Sequence, residues 1–506
     1  MRYGFVLDQR TCIGCHACTV ACKTEHEVPL GQFRTWVKYV DKGQYPSTTR
    51  EFAVMRCNHC TDAPCITICP TQALFKRPDG IVDFDSDRCI GCKSCLQGCP
   101  YDAIYIDENT HTAAKCNFCA HRIDQGLEPA CVVVCPTESI RVGDLDDPTS
   151  QVSALIATHD TAVRSPEQNT GPNVFYLGAD RAVLDPLAAP VDGSYIWADP
   201  DAQRRAVATD QPRDPVTHAR TTLNTAHPRP WGWRVTTYLW TKSVGAGALM
   251  VATLAYMVGI DLGVVGRVVA PALSLVMIAA TGLLLIWDLK RPWRFPYIFL
   301  KANRTSWLVW GSFALMIYGA LSFAWLVLGV LGQTTALHGL AGFAAAGGVA
   351  AAGYTGFLFG QAEGRDLWQS PLLLWHLLVQ AVMVGSGALA IAAAFAGSGP
   401  TAQGFLARTF VVATALHVLI LLAEYLGRHP SKGAALAAHM ITHGRYAATF
   451  WWGAVVLATV SLVLVALGWN GRGVATLVVI GALLVQAALL AYESVFIRAG
   501  QDVPLS

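Results

Sequence analysis

All sixteen cysteines of this 506-residue chain lie between Cys12 and Cys135, and the long apolar runs all lie beyond them. The cysteines form four groups: Cys12, Cys15, Cys18, Cys22; then Cys57, Cys60, Cys65, Cys69; then Cys89, Cys92, Cys95, Cys99; then Cys116, Cys119, Cys131, Cys135. Each is a triplet, three further residues, and a fourth cysteine. Proline follows the second, third and fourth groups, and Lys23 follows the first. The chain is therefore two unlike pieces, a cysteine-rich head and an apolar tail.

The spacing is that of a bacterial ferredoxin run. Three closely spaced thiolates wrap one cubane, and the fourth, just beyond, ligates the neighbouring cluster of a two-cluster fold. Gly14 and Gly91 let the backbone curl and aim its N–H groups at cluster sulfurs. Proline after the last cysteine ends the ligand loop. Zinc sites pair two CxxC units, and four triple-plus-one repeats are an unusual way to build them. Eight disulfides in an oxidising compartment are the other reading, but the spacings are those of metal sites. Between the groups, GIVDFDSDRC and DAIYIDENT alternate apolar and polar residues and predict short ferredoxin hairpins. Several clusters in one small fold make a chain of redox stations.

Hydrophobic residues make up 53% of the chain and charged residues 14%, so much of it belongs in lipid. A net charge of +2 gives no argument for a nucleic-acid partner. No basic stretch with an apolar run follows the N-terminus, and no twin-arginine pair is present, so no export signal is expected. Residues 181–230 are rich in Pro, Asp and Ala and read as a strap with little structure, or one that wraps along a partner. Beyond it, eight apolar runs are long enough to span a bilayer: roughly 238–260, 264–287, 307–331, 337–360, 371–396, 405–426, 448–468 and 473–492. An even number returns both ends of the tail to the head's side. On that side stand Arg229, Arg234, Lys290, Arg291, Arg294, Lys301, Arg304, Arg365, Arg428, Lys432, Arg445 and Arg498, against Arg267, Arg408 and Arg472 on the far side. The positive-inside rule then puts the head in the cytoplasm, with the periplasmic side as the alternative.

Ionisable residues in or beside the spans are equally lopsided. Lys242, Asp288, His376, Glu424 and Glu493 all fall in the head-side leaflet, and His417 lies deeper. Intramembrane charge is costly and functional by default; snorkelling or helix capping is the plain alternative for any one of them. Together they predict a polar pocket one electron step from the clusters, suited to a quinone whose redox chemistry takes up or releases protons.

The head resembles the four-cluster iron–sulfur subunits of molybdopterin oxidoreductases such as dimethyl sulfoxide, polysulfide and nitrate reductases, over residues 1 to about 180 including GPNVFYLG. That resemblance implies four 4Fe–4S clusters. It implies one ligand set of Cys12, Cys15, Cys18 and Cys135, and a second of Cys22, Cys116, Cys119 and Cys131. The third would be Cys57, Cys60, Cys65 and Cys99, and the fourth Cys69, Cys89, Cys92 and Cys95. Some relatives replace the Cys92 position by tryptophan; this chain keeps cysteine.

The tail, residues 231–506, is similar to the membrane subunit of the polysulfide reductase family, with eight helices and quinone chemistry without haem. WDLKRPWRF, YTGFLFGQAEGRDLWQSPLL and ESVFIRAGQDVPLS carry the likeness. It implies quinone contacts at Tyr354, Asp288, Lys290 and Arg291. The family's helix-one histidine has no obvious counterpart, Tyr238 being nearest. Head and tail are usually separate chains, and their fusion here fixes a one-to-one ratio.

The fold expected is thus an α+β ferredoxin-like iron–sulfur head (1–180), a strap (181–230) and an all-α eight-helix transmembrane bundle (231–506). The function expected is an electron-transfer and membrane-anchor subunit. It relays electrons between a molybdopterin catalytic subunit, holding Mo or W, and menaquinone or ubiquinone, with membrane lipid as its surroundings and Lys242, His376 and Glu424 in the quinone pocket. No catalytic residues for a terminal substrate are expected, since no GxGxxG loop, P-loop or nucleophile elbow is present. A multihaem cytochrome or hydrogenase partner is the alternative. A haem-b cytochrome needs paired axial histidines, for which His376 and His417 are the only clear intraspan candidates; no haem is expected.

Overall fold

The computed structural model describes residues 1–191, 216–225, 229–469 and 475–506. In the head, β1 (Tyr3–Asp8) runs parallel to β10 (Val174–Leu177) and antiparallel to β8 (Ile140–Asp144), and β9 (Thr161–Ala162) closes the far edge. A long hairpin of β2 (Thr35–Gln44) and β3 (Ser47–Arg56) packs beside it.

Each ferredoxin stretch supplies one strand of a small hairpin: β4 (Leu74–Lys76) with β5 (Val82–Phe84), and β6 (Ile104–Ile106) with β7 (Ala113–Lys115). Gly80, at φ +81, makes the first turn, and the Asp107 carboxylate closes the second by accepting from the backbone of Asn109 and Thr110. These hairpins hold the cysteine loops between them, so thiols and apolar side chains share one interior.

The strap is more structured than its composition suggests. Its described part contains β11 (Arg220–Leu223), the third strand of the β2–β3 sheet. Thr221 is tied to Pro190 and Ala189 carbonyls. Thr221 and Leu223 turn inward while Arg220 stays exposed, an alternation too short to stand out among the surrounding prolines and aspartates. Residues 192–215 and 226–228 of the strap lie outside the described residues, as does Arg472 of the far-side count.

α1 (Ala17–Glu25) and α2 (Gln151–Thr158) belong to the head. The tail then has eight long helices among the described residues. They are α3 (Trp233–Met257), α4 (Ala270–Asp288, led in by a π-helical turn over Val265–Val269), α5 (Trp307–Val330) and α6 (Thr334–Gly360). α7 (Leu373–Ala396) and α8 (Pro400–Leu426) follow, then the short α9 (Lys432–Thr442). A π-helical segment (Thr449–Val456) leads into α10 (Leu457–Trp469), and α11 (Ala475–Asp502) ends the bundle.

With the π-helical lead-ins counted into α4 and α10, seven of these helices are long and apolar enough to cross a membrane; α3 is not among them. α3 carries Thr236, Thr237, Thr241, Lys242 and Ser243 on its head-side half. It can do so because α4, α6, α7 and α11 pack around it and bury Thr236, Thr241, Lys242 and Ser243, while Thr237 bonds back to the Trp233 carbonyl. Its approach to α7 is backbone against backbone. A Cβ on Gly247 would overlap the Ala381 carbonyl, and one on Gly385 would overlap the Gly247 backbone. Small residues permit this spacing, and larger ones do not.

The last helix runs ten residues past the apolar stretch that ends near residue 492. Its extension leaves the expected span and reaches the head, where Gln501 accepts from Gln97 at 2.8 Å. A hydropathy window stops where the lipid-facing pattern stops; the helix does not.

Candidate functional site

The four cysteine groups repeat one local device. Cys12 and Cys15 precede α1, which begins at Ala17, and Cys18 and Cys22 lie one turn apart on that helix. Cys92 likewise precedes the short helix Ser94–Gly98, which carries Cys95, with Cys99 at its end. Gly14 and Gly91 both have φ +69, and two residues later His16 (φ 61) and Lys93 (φ 66) are left-handed as well. His59 in the second group and Phe118 and Cys119 in the fourth adopt the same conformation. Successive left-handed turns point backbone N–H groups inward and make a concavity for an anionic centre. At Cys89 the sulfur accepts from the N–H of Gly91 and of Ala113, each at 3.4 Å.

Distant groups then come together. Cys135 returns to Cys12, Cys15 and Cys18 around one cavity, and Cys99 joins Cys57, Cys60 and Cys65 around another. Cys22 lies among Cys116, Cys119 and Cys131. Cys69 lies among Cys89, Cys92 and Cys95.

The thiols ring these sites instead of converging on a point. Among the described residues no three His, Cys, Asp or Glu side chains are placed to hold a single metal ion. A four-sulfur shell around a multi-atom iron–sulfur core fits this chemistry. Burial pushes the thiols of Cys18, Cys60, Cys92 and Cys119 up to about 12, so as free thiols they stay protonated at neutral pH. A bound cationic core is what turns such groups into thiolates. Buried Arg56 donates to Cys131 Sγ at 3.3 Å. Burial works against its charge, and thiolates at Cys131, Cys116 and Cys18 would offset that cost.

The fourth set faces the membrane half. Asn303 donates to the Cys69 carbonyl at 2.8 Å, and Arg294 to the Cys89 carbonyl at 3.0 Å. The backbone N–H groups of Lys290 and Arg291 bond to Gly91 and Ile90. Arg365 donates to Gln97 at 2.8 Å, and Gly364 lies so close that a Cβ there would stand 2.6 Å from the Cys99 oxygen. Lys93 closes the seam with an ion pair to Asp288 at 2.6 Å.

Behind this seam are two buried polar neighbourhoods. In the first, Lys242 on α3 donates to the Ala352 carbonyl at 2.9 Å and to Thr355 Oγ1 at 2.7 Å, with its ammonium 5.2 Å over the Tyr354 ring. Tyr238 lies within electrostatic range of Tyr354, Glu493 and Asp288. α5 passes the Tyr354 ring at Gly311, where a Cβ would overlap the ring edge at Cδ2. In the second neighbourhood, His376 on α7 meets His417 on α8 at 2.8 Å. Glu424 stands 3.7 Å from His376, Tyr492 3.5 Å from it, and Tyr425 3.1 Å from Tyr492. Both carboxylate oxygens of Glu424 and of Glu493 are buried without a hydrogen-bond partner among the described residues.

The structure thus brings Tyr238, Lys242 and Tyr354 to one place, with Asp288 paired to Lys93 in the seam and within electrostatic range of Tyr238, and His376 and Glu424 to a second beside it. It puts Lys290 and Arg291 in the seam as well. Arg291 donates to the Thr110 carbonyl at 2.8 Å and lies over Trp293. The sequence reading did not single out Tyr425, Tyr492 or Thr355. They carry no charge, so nothing separates them from ordinary helix residues until the helices are packed; only Tyr492's position beside Glu493 offers a hint.

Residues 48–145 match a family model described as a 4Fe-4S dicluster domain, and residues 221–504 match that of polysulphide reductase, NrfD. The head is 45% identical to the B subunit of tetrathionate reductase from Salmonella typhimurium over 190 residues, 37% of this chain and 76% of the relative. It is 39% identical to the iron-sulfur B subunit of a putative dimethyl sulfoxide reductase from Halobacterium salinarum over 208 residues, 35% and 79% of the two proteins. It is 37% identical to the B subunit of polysulfide reductase from Wolinella succinogenes over 187 residues, 36% and 98%.

Proposed function

Because this protein belongs to the polysulphide reductase NrfD family and joins to that membrane domain an iron–sulfur head like those of the reductases just named, we propose that it wires a molybdopterin catalytic subunit to the quinone pool. The four thiol sets each hold one 4Fe–4S cluster, and each cluster, when bound, passes one electron at a time. The set containing Cys12 and Cys135 is the station on the partner's side. Cys15 is exposed there, and Ile13, Val20 and Val133 present apolar surface beside cysteines of the first and second sets. The set of Cys69, Cys89, Cys92 and Cys95 is the station at the membrane.

The observation that carries this reading is the seam. The loop holding Cys89 and Cys92 is bonded directly to the α4–α5 connection and, through Lys93, to Asp288 at the end of α4, the helix packed against the Tyr238 and Lys242 helix α3. In the polar pocket there, Tyr354 and Tyr238 offer hydroxyls to a quinone oxygen, and Lys242 supplies positive charge where an oxygen gains electron density. Asp288, Glu493 and the His376–Glu424 group hold or release the protons of two-electron quinone chemistry. His376 and His417 hydrogen-bond to each other beside Glu424, and the redox partner of this site is quinone without haem. α3 completes eight spanning helices, its polar side covered by protein, and the head lies on the cytoplasmic side, on the strength of the basic residues at the head-side ends.

The test is anaerobic purification in mild detergent, with identification of every co-purifying protein and metal. A large molybdenum- or tungsten-containing partner and iron for four cubanes support the reading. A multihaem or nickel–iron partner moves the chain to a different respiratory complex. Zinc in place of iron overturns the electron-transfer reading altogether.

A further inference from the structure

Lys93 stands in the third cysteine group, next to Cys92 and two residues before Cys95. Its backbone is left-handed, which costs a residue with a Cβ some strain, and its side chain is buried. The backbone conformation is the one His16 shares in the first group, whereas the burial suits a side chain held by a specific partner. That partner is in the other half of the chain: Lys93 Nζ donates to Asp288 Oδ2 at 2.6 Å, at the last residue of α4. The other Asp288 oxygen stands 3.9 Å from Arg234 at the start of α3. The Cys92 sulfur lies within electrostatic range of the same ammonium. One lysine thus stands within electrostatic range of the membrane-side thiol set and pairs with the carboxylate that ends α4.

We propose that Lys93 is a positioning residue that sets the reduction potential of the centre held by Cys69, Cys89, Cys92 and Cys95 and holds the Asp288 carboxylate at the end of α4. The proposal rests on the cluster and quinone assignments above. Its physical basis is charge. Adding one electron makes that centre more negative. A buried ammonium beside it stabilises the reduced form, and a buried carboxylate opposes it, with little water to screen either. In the native pair the two effects partly cancel. Removing one member leaves the other uncompensated, so the two single substitutions push the potential in opposite directions. A residue that only braced the seam would loosen it either way and give no such antisymmetry. Arg234 and Lys290 also lie within range of Asp288. They remain in both variants and do not alter the sign.

The experiment is a redox titration of the full chain with its partner, followed by low-temperature electron paramagnetic resonance. Lys93→Met is expected to lower the midpoint of one cluster and leave the others unchanged. Asp288→Asn is expected to raise the midpoint of that same cluster. The double variant is expected to fall between them, and Lys93→Arg to restore the native value with a native KM for quinol. Unchanged midpoints in both single variants, or shifts of the same sign, overturn the proposal. If Lys93→Met loses the cluster, Asp288→Asn decides alone: it must raise the midpoint. Wild-type protein with fewer than four cubane signals overturns the cluster assignment itself. Intact signals without the opposed shifts overturn only the role of Lys93.

Discussion

His376 and His417, forty-one positions apart on α7 and α8, share a hydrogen bond of 2.8 Å with both rings fully buried. His376 is the hub of its neighbourhood, since Glu424 and Tyr492 both approach its other ring nitrogen. His376→Ala leaves His417 Nδ1 and Glu424 without their nearest polar neighbour. An unsatisfied buried polar group costs about 1–3 kcal/mol. The expected outcome is a lower unfolding temperature in detergent and slower quinol-linked turnover, with iron content unchanged. A variant as stable and active as wild type would remove this hub from the functional site.

Tyr354 and Gly311 form a matched pair. The ring occupies the space a Cβ on Gly311 would fill. Tyr354→Phe removes only the hydroxyl, and Gly311→Ala displaces the whole ring. Both are expected to raise the KM for quinol, the alanine more, while electron transfer among the clusters stays intact. Steady-state kinetics with a soluble quinol analogue checks this.

The crossing of α3 and α7 at Gly247 and Gly385 leaves no room for a methyl group. Gly385→Ala must push two backbones apart. Overpacking of this kind costs typically about 1–3 kcal/mol. It also shifts α3, and Lys242 with it. The expected result is a lower melting temperature together with weaker quinol binding; an unchanged melting curve would contradict the close approach.

Lys38 on β2 gives a pH-dependent prediction in the head. Burial, with Arg164 nearby, pushes its pKa from the ordinary 10.5 down to about 7. Between those values the unfolded state holds a proton that the fold does not, so stability from this group rises with pH across the window. Below pH 7 the fold carries a buried ammonium at full cost. Lys38→Met is therefore expected to stabilise the head most below pH 7, the gain shrinking toward pH 10. Thermal bleaching of the iron–sulfur absorbance at pH 6 and pH 9 measures the difference.

The ligand loops were legible in the sequence because their chemistry is local. Cys12, Cys15 and Cys18 meet within one loop and one helical turn, and Gly14 and Gly91 mark where the backbone must curl. The long apolar runs were legible because lipid demands them residue by residue. β11 was not, since a four-residue strand gains its stability from the β2 edge it joins. α3 shows the converse. It was counted as a span from its sequence, yet its head-side half is too polar for lipid alone, and its place follows from the helices around it.

The sequence by itself determined the division into head and tail, the iron–sulfur chemistry of the cysteine loops and the membrane character of the tail. Each depends on neighbours a few residues apart or on composition along one segment. Only the tertiary structure decided that Cys135 stands beside Cys12, that Lys93 pairs with Asp288, and that His376 meets His417 while Arg291 turns to the head. Those partners lie far apart in sequence. They meet because hairpins stack on hairpins and because small residues let particular helices approach, and neither is written in any single stretch.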